Sequence, residues 1–497
     1  MNAHAQPIRG RHSLSRIARA LDRVIPIPLL AIPPIWLALG LLSLAPLRIR
    51  ADTWFDLAAG RDIVEHGLPH SDRLMALTAG RPWQDQQWLA HLTSYGLFDL
   101  GGLPLVSLVD AGCLVLALSI AIVAAHRSGG SPLWIAAVAS PLILIQVPSE
   151  TRAQSFAMPL FAAFLWLLSR DARSPDRRIL LVLPLLALWA NLHGSILIAC
   201  ALLLMRCAVG AGGALRRRRP RELWRYLGLS AAALLAPFAS PYGWAMFHYY
   251  RSTATNGAFR DVVVEWAGTS LRGWFGPVFF LLAALAIVGI ARPEIKLGLF
   301  DCLCLALLVL IGIDTLRNVV WLPYAAVILL PAGLSRWSPQ SPSARLRPLL
   351  QMVVVAGALG VALFASQVST PALDDPWPAA QASAIAKAAT ADPSLRIVSD
   401  EAYSDWLVWH YPALRGRIAF DVRFELLGSK GIANVARFKE VAGLGWNRSF
   451  AAYRLALIDK AGSPRLAYAL LRERGRRVLS RHEDVIAILR PAAPPAR

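Results

Sequence analysis

Long apolar blocks broken by short polar segments dominate the first three quarters of this chain. Eleven blocks read as helices, at 24–47, 103–125, 132–147, 154–169, 178–191, 195–210, 223–240, 273–291, 297–313, 316–334 and 348–368. A run of about 17–25 apolar residues is long enough to cross a bilayer as a helix. Several blocks are shorter, and Pro141, Pro159, Pro184 and Pro323 sit inside them. Membrane helices tolerate such breaks when neighbours re-satisfy the freed backbone groups. After residue 370 the pattern changes. "PALDDPWPAA" is a Pro-rich linker, and "RIVSD", "RIAFDVR", "LALID" and "VIAIL" read as short buried strands. Helical stretches such as "PRLAYALLRERG" separate them. The expected fold class is a polytopic α-helical membrane protein of about eleven transmembrane helices with a small C-terminal α/β domain. The expected divisions are a basic N-terminus (1–23), a transmembrane domain (24–369) with a large first outer loop (48–102), a linker (370–385) and the α/β domain (386–497).

Composition agrees. Of the 497 residues, 56% are hydrophobic and only 16% charged, where a soluble domain has nearer a quarter charged. The leader before the first block carries Arg9, Arg11, Arg16, Arg19 and Arg23. The apolar core that follows is longer than that of a cleaved signal peptide, so it reads as an uncleaved first helix. The five cysteines all fall inside apolar blocks, form no CxxC pair, and read as small core residues.

Charge orients the helices. With the N-terminus cytoplasmic, the inner segments hold 22 Lys/Arg and 5 Asp/Glu, while the outer loops hold 10 and 11. This is a strong positive-inside bias. The net charge of +20 then needs no nucleic acid, because anionic lipid headgroups are the natural partner of scattered cytoplasmic arginines. Eleven spans leave the C-terminal domain outside. Ala/Leu/Arg-rich usage and the absence of a eukaryotic address signal point to a bacterial inner membrane. Arg48 and Arg50 then read as headgroup contacts that end the first span.

Chemistry gathers on the outer side. The first outer loop carries Asp52, Asp56, Arg61, Glu65, His66, Trp83, Asp85 and His91. Further along come Glu150, Arg152, Asn191, His193, Tyr242, Asp261, Glu265, Trp266, Asp314, Arg317 and Asn318. Taken singly, each has an ordinary explanation: aromatic residues anchor helix ends at interfaces, and arginines snorkel. Together, carboxylates, arginines and histidines on one side suit transfer of a sugar from a lipid phosphate. That reaction needs a carboxylate to take the acceptor proton and positive charge where the phosphate leaves.

The blocks "DTWFDLAAGRDIVEHGLPHSD", "GRPWQDQQWLAH", "RAQSFAMPLFAAFLWLL", "LWANLHGS", "RNVVWLPYAA" and "SDEAYSDWLVW…IAFDVR" resemble the GT-C superfamily of integral membrane glycosyltransferases. The likeness is to a bacterial subgroup of mostly unassigned activity, and it runs from about residue 50 to 425. It implies that Asp52, just beyond the first span, acts as base or metal ligand. Asp56 stands where a His is common in that group, which leaves a D-x3-D pair with both carboxylates on one helix face. Such a pair could hold a divalent cation, Mg or Mn, or one carboxylate could raise the pKa of the other. The resemblance implies an inverting transfer from a polyprenyl-phosphate sugar to an envelope acceptor. Asp52 and Asp56 are the candidate catalytic residues. Arg61, Arg152, His193, Glu265, Arg317 and Asn318 are the candidate substrate contacts. The competing readings are a non-catalytic binding or assembly subunit of the same fold, and a transporter. A transporter would more typically show internal repeats and mid-span charges.

Overall fold

The computed structural model describes residues 26–255, 257, 263–273, 275–337, 347–374, 376–482 and 484–491. The arginine-rich leader and Asp261 lie outside the described residues. The helices of the larger part are α1 (Pro26–Ser43), α2 (Ala51–His66), α3 (Trp88–Arg127), α4 (Pro132–Gln146), α5 (Gln154–Arg173), α6 (Val182–Leu192) and α7 (Ile196–Arg216). They continue as α8 (Pro220–Leu235), α9 (Ala245–Thr255), α10 (Phe275–Ala291), α11 (Leu299–Asp314), α12 (Trp321–Leu329), α13 (Pro331–Trp337) and α14 (Arg347–Gln367).

Each of the eleven apolar blocks contains a helix. Length and hydropathy qualify three described helices as membrane-crossing: Trp88–Arg127, Ile196–Arg216 and Leu349–Gln367. The pair Leu316–Leu329 and Pro331–Trp337, bent by 50°, makes a fourth. The other helices are shorter or carry charged ends. At 1.5 Å per residue, a 16-residue helix spans about 24 Å, less than the hydrocarbon core.

The helices pack around an apolar core. Phe161, Trp189 and Trp321 meet at its centre, with Trp321 5.0 Å from Phe161 and 6.1 Å from Trp189 between ring centroids. Helix α3 is broken at Gly101 and Gly102 (φ 64°). The positive φ at Gly102 is one that a side chain would strain. The break lies where the apolar block begins, so the segment before it stands outside the span.

After Pro378 comes α15 (Ala379–Ala391), then β1 (Ile397–Ser399), α16 (Glu401–His410), α17 (Gly428–Lys439), β2 (Leu455–Asp459), α18 (Pro464–Arg472), β3 (Arg477–His482) and β4 (Val485–Leu489). The sheet order is β1-β2-β4-β3, with β1 parallel to β2 and the other pairs antiparallel. The segments "RIVSD", "LALID" and "VIAIL" form strands as expected. "RIAFDVR" does not: only Ile418 bridges to Ile397. The segment lies between β1 and the first outer loop: the Ile397 amide donates to the Arg417 carbonyl and the Ala419 amide to the Ile397 carbonyl, both at 2.9 Å. The Ala76 and Leu77 amides donate to the Ile418 and Ala419 carbonyls at 2.7 and 3.0 Å. Strand β3 was not apparent in the sequence, because "RVLSRH" is an exposed edge strand without a buried face.

The C-terminal part has one apolar cluster of its own, around Phe420, Phe438 and Phe450, and shares a second with α2. Trp54, Phe55 and Leu57 of α2 pack in one apolar cluster with Ile385, Trp406, Leu407 and Leu455. Arg61 ties the same interface: it donates to the Val408 carbonyl at 2.9 Å and lies 4.4 Å over the Trp409 ring.

Arg48 corrects an expectation. It is 1% exposed, and it pairs with Asp110 of α3 at 2.5 Å while Nε donates to the Ser149 carbonyl at 2.7 Å. It is a buried stitch rather than a headgroup contact, because a guanidinium so enclosed needs both a counter-charge and an acceptor. The Thr151 amide donates to the Arg48 carbonyl, and Thr53 Oγ1 donates to the Thr151 carbonyl at 2.6 Å. The 148–153 loop is thereby fixed against the start of α2. Arg48→Met, which leaves Asp110 unpaired, should cost about 3–5 kcal/mol. Thermal unfolding in detergent checks it, and Arg48→Met with Asp110→Leu should recover most of the loss.

Candidate functional site

The site begins with a close crossing of α2 and α3. A Cβ at Gly60 would collide with the His91 carbonyl oxygen and the Tyr95 side chain. Glycine lets the two helices approach, and the approach sets Asp56 opposite His91. The His91 Nε2 stands 3.2 Å from Asp56 Oδ1, and Nδ1 lies 2.8 Å from Asp85 Oδ2. All three side chains are buried. Loss of water raises Asp56 to about 6 against the pull of His91. Loss of water would lower His91, but the Asp85 charge and the two carboxylate contacts outweigh it and push the imidazole up to about 10. His91 is therefore an imidazolium at neutral pH, held between two carboxylates.

Asp52, one turn earlier, opens into a cavity of about 300 Å³. Arg152, fixed by its loop, reaches Asp52 at 3.3 Å and Glu265 at 2.7 Å. Desolvation raises the Asp52 pKa, Arg152 opposes it, and the Glu265 charge adds to the rise. Glu150 is raised to about 7, first by desolvation and then by Asp52. Glu265 is lowered, chiefly by Arg152. Arg317 lines the same cavity, its guanidinium 4.7 Å over the Trp266 ring, and it makes no ion pair among the described residues. His193 is held well below its ordinary pKa by burial and then by Arg317 and Arg152. Its Nδ1 accepts from the Ser195 amide at 3.1 Å, so the neutral ring carries its proton on Nε2.

The C-terminal part closes the cavity. Glu401, Val422, Arg423, Phe424 and Glu425 line it. Arg423 is bound by Asp72 at 2.9 Å and by Asp421, and it lies 4.2 Å over the Trp83 ring. Glu425 is raised to about 7 by burial.

Of the eight residues expected from sequence, Asp52, Asp56, Arg152, His193, Glu265 and Arg317 line this one cavity. Arg61 does not; its guanidinium serves the interface with α16. Asn318 does not; its amide donates to Thr315 Oγ1 at 2.6 Å and holds a turn. Asp85 and His91 stand among the first-loop residues named from sequence but without a site role, and Arg423 is not among them. His91 and Asp85 stand in "WQDQQWLAH" and Arg423 ends "IAFDVR", so the motifs pointed at them without assigning roles.

The two carboxylates expected as a metal pair are divided between cations: Asp52 faces Arg152 and Asp56 faces His91. Among the described residues no three His, Cys, Asp or Glu side chains converge as a ligand set. The residues present do not fit a metal centre, and no step below is routed through one.

The helical bundle, with a cavity between it and the sheet-bearing part, has a GT-C-like fold by its likeness to solved structures. Among solved structures, the chain is similar to ArnT from Cupriavidus metallidurans bound to undecaprenyl phosphate, with a TM-score of 0.50 and 14% identity over 94% of this chain and 99% of that one. It is also similar to the mycobacterial arabinofuranosyltransferase AftD, with a TM-score of 0.49 and 15% identity over 93% of this chain and 40% of that one. The likeness to ArnT shows the fold. No protein-family model and no curated protein matches the chain.

The cluster around His91 makes a testable statement about pH. A raised imidazole pKa stabilises the fold fully below its ordinary value near 6.5, and the gain fades as pH rises through about 10. The melting temperature of the protein in detergent should fall between pH 6.5 and 10, and His91→Gln should flatten that fall.

Proposed function

We propose that this protein is a glycosyltransferase of the outer face of a bacterial inner membrane. It takes a sugar from a polyprenyl-phosphate donor and passes it to an envelope acceptor. The observation that carries this reading is the cavity itself. Its lining residues come from segments that the charge bias assigns to the outer side, or, for Gln154, from the helix end next to one. An accessible carboxylate faces one space with a cation that has no carboxylate partner among the described residues. The lipid phosphate bound in ArnT is the kind of leaving group Arg317 suits.

Asp52 serves as the base. It is about one third exposed, 34%, so an acceptor hydroxyl can reach it, and its raised pKa makes it a stronger base than an ordinary aspartate. The acceptor O–H gives its proton to Asp52, and the oxygen forms a bond to the sugar's anomeric carbon. The bond to the phosphate oxygen breaks, and the electron pair leaves with the polyprenyl phosphate. Arg317 neutralises the charge that develops there. One displacement at the anomeric carbon inverts its configuration. Arg152, clamped by Glu265, holds Asp52 in place. His193 offers Nε2–H to a sugar hydroxyl. Asp56 with His91 and Asp85 forms the buried support behind Asp52.

Asp52→Asn should lower transfer by about 10²–10⁴-fold with unchanged accumulation in the membrane. The measurement is restoration of surface glycans in a deletion strain. Full restoration by Asp52→Asn would overturn the catalytic role and favour a binding subunit. The acid limb of the wild-type rate should lie above the ordinary aspartate pKa of about 3.9, because the base must be ionised and its pKa is raised. A limb at or below that value would remove Asp52 as the base.

A further inference from the structure

Helix α3 joins the two ends of the bundle. Its first turn supplies His91 to the outer cavity, and its last turn supplies Arg127. From the break at Gly102 to Arg127 the helix rises about 37 Å, more than the hydrocarbon thickness. Arg127 therefore lies at the opposite membrane face.

Two cavities meet there and share Arg127. One, of about 200 Å³, lies between the ends of α3 and α5 and is lined by Arg127, Arg170, Arg173, Trp166, Ser128 and Ser174. The other, of about 270 Å³, is an apolar groove between α1 and α3, walled by Leu30 and Pro34 on one side and Ile122 and Val123 on the other. The basic cavity is under-neutralised. Arg170 pairs with Asp176 at 3.2 Å. Among the described residues Arg173 donates to two hydroxyls, Ser169 at 2.7 Å and Ser128 at 2.9 Å, and makes no ion pair. Arg127 lies 5.4 Å over the Trp166 ring and makes no ion pair among the described residues. Arg336 adds a fourth positive charge beside Arg173, and the carboxylates near these four arginines among the described residues are Asp176 and Asp301.

We propose that this pair of cavities is a binding site for one anionic phospholipid of the cytoplasmic leaflet, with its phosphate on Arg127 and Arg173 and an acyl chain in the groove. Charge complementarity selects the headgroup, because an anionic leaflet attracts clustered arginines and guanidinium forks match phosphate oxygens. The apolar groove on the other side of Arg127 from the basic cavity, with Arg127 lining both, selects a lipid over a soluble phosphate. A free anion would leave the apolar groove unfilled. The site is separate from the outer cavity and does not depend on the activity proposed for it.

The test uses the full-length protein in detergent with phosphatidylglycerol and phosphatidylcholine as probes. Native mass spectrometry should show preferential retention of phosphatidylglycerol. Arg127→Gln with Arg173→Gln should reduce that retention by about fivefold for each arginine removed, leaving phosphatidylcholine unchanged. Ser119→Phe, which fills the groove without altering charge, should also reduce it. A phosphatidylglycerol bearing a diazirine on its acyl chain should label peptides containing residues 30–34 or 119–123 in the wild-type protein. Equal retention of the two lipids, or labelling elsewhere only, overturns the proposal. Displacement by glycerol 3-phosphate at equal concentration also overturns it and points to a soluble anion. If the double variant does not accumulate, the wild-type labelling and Ser119→Phe decide the question.

Discussion

The constraint on which the structure turns is that α2 carries its carboxylates into the protein. Asp56 and Asp62 are 4% and 2% exposed, on a helix that begins just past the first span. A buried charge is tolerable only when a counter-charge or donors meet it. Each carboxylate of this helix therefore specifies a neighbour. Asp56 requires His91, and His91 in turn requires Asp85. Asp52 engages Arg152, which in turn holds Glu265. Asp62 is met by Arg73 at 2.8 Å. These demands, together with the burial of Leu74, Met75 and Trp83, decide where the loops beside α2 lie. The bundle core fixes the helices; the charges fix the loops against α2.

The C-terminal part enters through the same helix. The face of α2 away from the bundle is apolar, with Trp54 and Leu57, and it covers α15 and α16. One helix thus has the cavity on one side and the sheet-bearing part on the other. This explains why Arg423 and Glu425, more than 350 residues after Asp52, reach the same cavity. The segment "IAFDVR" would have made a strand by pattern. Its Ile418 and Ala419 carbonyls accept from the Ala76 and Leu77 amides of the first outer loop while the Ala419 amide donates to Ile397 of β1, and its polar end faces that cavity.

Much of this was legible in the sequence because hydropathy reports on solvent, and lipid and water demand different side chains. The eleven apolar blocks each contain a helix, and six of the eight expected site residues line one cavity. What was not legible depended on contacts between distant segments. Arg48 beside a span end looks the same whether it meets a headgroup or Asp110, and only the packing of α3 decides. Arg61 and Asn318 share the residue types of a substrate site, yet one packs on Trp409 and the other holds a turn. Periodicity also missed β3, since an edge strand exposed on both sides leaves no pattern of burial.

The departure at Asp56 now has a physical account. Where the resembling group commonly places an imidazole, this chain places a carboxylate, but an imidazole stands 3.2 Å away on α3. The neighbouring helix carries that ring into the site, and Gly60 is the residue that brings the helix close enough. Burial, with the Glu265 charge, raises the Asp52 pKa against the pull of Arg152, and that is the direction the role proposed for Asp52 requires.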